Sequence, residues 1–275
     1  MSSRALLIVE GSGIEEKFFS PIGEKFGIDM EIVPYCGNVS MLYDDMAKTG
    51  FYANIVDLLK SRETDPAKLA ILNGRYTDIF VVLDFDPQHS IGQLPGESVD
   101  AALRRNVQRI SHKAYEMAKR MDNSTDPCSG KLYINYPSME SFRDMDGFCD
   151  MGYGERFISL RDLTKKFGGK GYKAIVGQRR LEKNPARYSC DNYKSIMAAN
   201  ILKLSRVVDG VWRKMSYVEY LEKCDQVTVL LRQCGFINQT LNVGVINTSS
   251  FIVVDYKGRS LYETLPFAGL CAASL

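Results

Sequence analysis

The sequence predicts an α/β fold: a mostly parallel sheet flanked by helices, followed by a mainly helical C-terminal part. Three observations predict it. Two unbroken apolar runs, Leu6-Leu7-Ile8-Val9 and Ile79-Phe80-Val81-Val82-Leu83, lack polar alternation, as strands covered on both faces require. Segments of helical spacing separate such runs, giving a β-α-β-α-β order. Each run also stops at a carboxylate, Glu10-Gly11 in the first and Asp84-Phe85-Asp86 in the second. Ligands of open α/β sheets bind beyond the carboxyl ends of the strands.

The elements follow in order. Residues 5–9 form the first strand. Glu15 to Phe26 reads as a helix, with Phe18, Phe19, Ile22 and Phe26 near helical spacing. Met30 to Pro34 is a short strand ended by its proline. Met41 to Met46 and Tyr52 to Ser61 have helical character, and Pro66 opens a further short helix at its first turn. Asp78 to Leu83 is the central strand. Ser98 to Met121 is a long amphipathic helix, and Lys131 to Tyr136 a last strand ended by Pro137.

Periodicity fades near 145–160, which marks a boundary between an N-terminal domain, 1–150, and a C-terminal subdomain, 151–275. Gly168-Gly169-Lys170-Gly171 is a loop. It lacks the G-x-x-x-x-G-K-[ST] pattern and follows no strong strand, which argues against a nucleotide loop. Residues 190–206 and 216–234 read as helices. The segment 243–265 fits either a strand or a buried helix, with the helix favoured by Phe251, Val254, Leu261 and Leu265.

At 275 residues, with 45% hydrophobic and 25% charged residues, the chain can bury a sizeable core. No apolar run approaches the roughly 20 residues of a membrane span, and no signal-peptide pattern opens the sequence. Seven cysteines without a C-x-x-C pair point to reduced thiols in a cytoplasm, not to a disulfide or zinc framework. Two histidines, His89 and His112, exclude a histidine-rich metal site. Net charge is only +2, but it is unevenly placed. Residues 1–100 carry 8 basic against 16 acidic side chains, and residues 156–187 carry 10 against 2. That asymmetry suits an acidic metal pocket facing a polyanion.

Three carboxylates brought to one sheet edge make a seat for a hard divalent cation. Glu10, Asp84 and Asp86 are the first candidates. Tyr133-Ile134-Asn135-Tyr136-Pro137-Ser138-Met139-Glu140 places a further acid, Glu140, just beyond a strand. His89 lies close enough in sequence to Asp86 to support the site. Clustered carboxylates repel one another and hold protons until a cation neutralises them. Lys165, Lys166, Lys170, Lys173, Arg179 and Arg180 are candidate contacts to nucleic-acid phosphates. Tyr133, Tyr136 and Phe142 are candidates for base stacking or for the core.

The joint pattern is an apolar strand with Glu-Gly, a long spacer, then an apolar strand with Asp-x-Asp. It resembles the Toprim superfamily of topoisomerases, primases and metal-dependent nucleases. The Asn135-Tyr136-Pro137-Ser138-Met139-Glu140-Ser141-Phe142 element is similar to that of the RloB-type branch found in phage-defence and restriction loci. The resemblance covers about residues 5–145; Asn247-Thr248-Ser249 with Asp255-Tyr256-Lys257-Gly258 adds a less specific likeness. In one respect the chain departs from the family, which usually has a second acid four positions after the first. Here Ile14 stands there, with Glu15 and Glu16 as substitutes.

The resemblance implies a Toprim-like catalytic domain and Mg²⁺, or Mn²⁺, held by Glu10, Asp84, Asp86 and Glu140. These would serve phosphodiester hydrolysis of DNA or RNA by an Mg²⁺-dependent endonuclease, in a toxic effector of bacterial anti-phage defence. It equally allows a subunit inactive alone and controlled by an ABC- or AAA-type ATPase, since the chain has no Walker A sequence. A primase- or topoisomerase-like nucleotidyl transferase is disfavoured by the lack of a zinc module. A homo-oligomer is compatible with all three.

Overall fold

The computed structural model describes residues 4–51, 54–89, 91–121 and 130–271, apart from the side chain of Cys271. Strand β1 (Arg4–Val9) forms where apolar residues run together without a turn former, and Ala5 through Val9 are fully buried. With β2 (Asp29–Pro34), β3 (Asp78–Asp84) and β4 (Lys131–Asn135) it builds a sheet of order β2-β1-β3-β4. All three pairings are parallel. The register sets Val9 beside both Pro34 and Val82, and Asp84 beside Asn135, so the carboxyl ends arrive together at one edge.

The crossovers explain where a ligand can enter. Helix α1 (Ile14–Phe26) carries the chain from β1 outward to β2. It buries Phe18, Phe19 and Ile22, each contributing about 1.5–3 kcal/mol. It stops at Gly27, whose φ of +58° suits glycine. Helices α2 (Val39–Lys48), α3 (Ile55–Arg62) and α4 (Pro66–Leu72) lead back to β3, each opened by a side-chain cap, from Asn38, Asn54 and Asp65. Helix α5 (Val99–Ala118), capped by Ser98, then runs from β3 to β4. Connections thus diverge from the adjacent strands β1 and β3, and the crevice of a parallel sheet opens at that switch point. The start of the helix expected from Tyr52 lies outside the described residues.

The second half packs against this sheet. Its elements include β5 (Phe157–Ser159), α6 (Leu160–Leu163), α7 (Tyr172–Val176), α8 (Cys190–Asp209), α9 (Tyr217–Lys223), α10 (Gln226–Thr240), β6 (Asn242–Gly244), α11 (Phe251–Lys257), α12 (Arg259–Tyr262) and α13 (Ala268–Cys271). Helix α8 packs on α1, and α10 on α5. The single helix expected over 216–234 is two, because Asp225 accepts the Thr228 amide and caps a new start. The helix favoured over 243–265 forms from Phe251 onward. Asn242–Gly244 instead pairs antiparallel with β5, inside the stretch read as a linker.

Beyond β4, Tyr136 bridges antiparallel to Ile246. Thr248 Oγ1 donates to the Ile134 carbonyl at 2.7 Å, and the Ser249 amide to Asn135 Oδ1 at 3.1 Å. Tyr133, Tyr136 and Phe142 are fully buried, so all three are core side chains rather than stacking platforms. Asp255 accepts hydrogen bonds from Tyr133, Tyr220 and Lys131, tying α11 and α9 to β4. Cys36, Cys149, Cys190, Cys224 and Cys234 are free thiols; Cys128 lies outside the described residues. Among those residues no helix is long and apolar enough to cross a membrane.

Candidate metal centre

The switch point delivers the acids. Glu10 follows β1 directly, Asp84 ends β3, and Asp86 lies two residues on. Glu10 Oε2 accepts the Asp84 amide at 2.9 Å, so the carboxylate continues the ladder where the β1 backbone turns away. The Phe85 amide donates to the Asn135 carbonyl and the Asp86 amide to the Pro137 carbonyl, both at 3.0 Å. Held this way, Asp86 takes a φ of +39°, a left-handed conformation that aspartate tolerates better than most residues. One oxygen from each of Glu10, Asp84 and Asp86 lies within 4.8 Å of the others.

Two further glutamates border the trio. Glu140 sits in the 3-10 turn Met139–Arg143; its Oε2 accepts from Ser138 Oγ at 2.7 Å and its Oε1 lies 3.1 Å from Lys173 Nζ. Glu15 is buried in the first turn of α1 and lines the same cleft, whereas Glu16, about 100° further round the helix, is exposed and outside it. Of the two glutamates, Glu15 is therefore the one that reaches the cleft.

Burial and mutual repulsion act together on these acids. Burial pushes Glu10 up to about 8, against the pull of the Asp84 amide and with the push of Asp86, Glu15 and Glu140. Asp84 is raised well above the carboxylate range by burial, then by Glu10 and Asp86. Asp86 is raised by burial, while the Gln88 amide, donating at 2.8 Å, opposes it. Glu15 rises through burial and the charge of Glu140. Lys173 is raised by its attraction to Glu140.

A cation fits this set. Asp84 Oδ1 is buried without a hydrogen-bond partner, a costly arrangement for a carboxylate oxygen unless an ion meets it. The donors are all oxygen, which suits Mg²⁺ or Mn²⁺ over softer metals.

The acids floor a cleft of about 880 Å³. On its rim lie His89, Lys165, Lys166 and Lys173, four of the residues expected near substrate. Lys170 and Arg180 are exposed outside the lining. Arg179 turns inward: its Nε donates to Asp144 Oδ1 at 2.6 Å, and that carboxylate is fully buried. It is a structural ion pair and not a phosphate contact. The glycine loop has a packing role: a Cβ on Gly169 would lie 2.2 Å from the Arg161 carbonyl, so only glycine closes the turn behind Lys165 and Lys166.

Sequence reasoning assigned no role to several supports. Ser138 and Gln88 orient two of the acids. Asn247 Nδ2 donates to the Met139 carbonyl at 3.2 Å and to Ser141 Oγ at 3.3 Å, fastening the turn that carries Glu140. A buried asparagine just after an apolar pair, Val245-Ile246, was the available signal. No family model, curated protein or solved structure matches the chain. The geometry of the carboxylates is what speaks for their role.

Proposed function

We propose that this protein is a Toprim-type nuclease that hydrolyses phosphodiester bonds of DNA or RNA with Mg²⁺ or Mn²⁺. The observation that carries the reading is the partnerless Asp84 Oδ1, buried between Glu10 and Asp86 at the switch point of a parallel sheet. The lysine rim above an acidic floor supports a phosphate-bearing substrate.

Glu10, Asp84 and Asp86 would hold the ion, with Glu140 at the margin. When bound, such an ion polarises a phosphoryl oxygen and lowers the pKa of a coordinated water. The chain's own residues do the rest. Lys165 and Lys166 draw the phosphate backbone over the floor. Lys173, mostly exposed, offsets the charge of Glu140 and reaches toward the cleft. Glu10 would serve as a ligand or as a general acid/base; burial raises it to about 8 without a cation, and a bound ion would favour its ionised form. On the resemblance to RloB-type proteins, the reading extends to an effector of anti-phage defence acting with an ABC- or AAA-type ATPase.

The test is direct. Purified protein is incubated with plasmid, single-stranded DNA and tRNA, with Mg²⁺, Mn²⁺ or EDTA. Cation-dependent cleavage that falls at least about 100-fold in Asp84→Asn is expected. No cleavage of any substrate, or cleavage undiminished in the variant, would sink the reading.

A further inference from the structure

We infer that the cleft has a second limb beyond the acidic trio, and that Arg109 holds there a phosphate on the far side of the scissile bond. This rests on the phosphodiester reading above and makes the substrate a continuous strand cut internally.

Asp84, Asp86, Asn38, Met41 and His89 line two adjoining cavities at once. The larger opens toward Lys165, Lys166 and Lys173. The smaller, about 300 Å³, is lined instead by residues of α2 and α5, Ser40, Asp44 and Arg109 among them. The acids therefore sit at a junction between two limbs. A substrate ending at the reacting phosphate needs one limb only; a strand passing through fills both.

Arg109 is built into the second limb. Its Nη2 donates to Asn106 Oδ1 at 2.9 Å and its Nη1 to Ser40 Oγ at 3.3 Å. Asn106 is itself buried, and its Nδ2 donates to the carbonyls of Pro87 at 2.6 Å and His89 at 3.1 Å. One buried amide thus fixes both the turn after Asp86 and the guanidinium. Among the described residues Arg109 has no ion pair. The acid facing it across the limb, Asp44, is taken by Lys113 at 2.6 Å. A preset guanidinium with donors to spare and no carboxylate partner is the form in which arginine recognises phosphate.

The experiment measures binding of fluorescein-labelled single strands by anisotropy, in Ca²⁺ and over a salt series. One strand spans the cleavage point and the other ends at it on the side of the lysine limb. Arg109→Ala weakens the spanning strand about tenfold and lowers its salt slope by about one, while leaving the short strand unchanged. Ser40→Glu, which supplies the missing carboxylate without removing Arg109, does the same. Arg109→Lys keeps the salt slope. Thermal midpoints accompany each variant. If both strands weaken equally, or neither weakens in Arg109→Ala and Ser40→Glu while the wild type binds and cleaves, the second limb is overturned and the nuclease reading stands. If the wild type binds neither strand, both readings fail together.

Discussion

Glu10 Oε2 accepts the backbone amide of Asp84 at 2.9 Å across 74 residues of sequence. A side chain thereby completes the ladder between the two central strands and is held beside Asp84 and Asp86, where the three could meet a cation. The two roles separate by mutation. Glu10→Gln keeps an acceptor for the amide; Glu10→Ala leaves a buried N–H unsatisfied. Urea unfolding in EDTA should show Glu10→Ala less stable than Glu10→Gln by about 1–3 kcal/mol, and calorimetry should show both losing Mn²⁺ affinity.

Stability of the cation-free protein should fall as pH rises. Glu10 goes from 4.5 when unfolded to about 8 when folded, and Asp84, Asp86 and Glu15 shift the same way. A raised carboxylate favours the fold fully below its unfolded pKa, and that contribution is lost as pH climbs through the folded value. The window is therefore from 4.5 to about 8. Glu97 and Glu219, held at about 2 by Arg105 and Arg213, have the opposite sign but act only below 4.5, and Lys203, pushed down to about 7 by burial, opposes the fall only above about 7. Thermal midpoints in EDTA should drop across the window, and Mn²⁺ should restore them most at its alkaline end. A flat profile in EDTA would contradict the clustering.

Asn247 should be essential to stability although it touches no acid. Besides its bonds to Met139 and Ser141, its Oδ1 accepts the Ser250 amide at 3.0 Å. Asn247→Ala strands several buried groups and should cost about 2–4 kcal/mol in urea unfolding.

Arg179 and Lys165 should behave differently, though both belong to the basic segment. Arg179→Ala uncovers part of the buried Asp144, leaving it the Tyr172 hydroxyl at 3.1 Å and Arg156 at 3.8 Å. A stability loss of about 1–3 kcal/mol is expected. Lys165→Ala should leave the unfolding midpoint in place and weaken nucleic-acid binding, read by anisotropy. Binding lost in Arg179→Ala at full stability would reverse the assignment.

Much of the sheet was legible because a strand covered on both faces has a local signature. The apolar runs ending at Val9 and Leu83 needed no partner to be recognised, nor did the proline that opens α4. The boundary at Asp225 was harder. An aspartate within a helical pattern reads as part of a polar face until its side chain is seen capping Thr228. Glu15 and Glu16 carried identical chemistry in the sequence. Only the rotation of α1 against the sheet buries one and exposes the other.

The sequence by itself determined that carboxylates stand at the ends of buried strands, since apolar runs and the acids closing them are local facts. The tertiary structure alone decided that β1 and β3 are neighbours, that Asp84 is left with a partnerless oxygen, and that Lys173 faces the acids while Arg179 serves Asp144. The reason is physical. Strand order and helix rotation are set by packing between residues far apart in the chain, and local periodicity carries no record of which distant side chain a charge will meet.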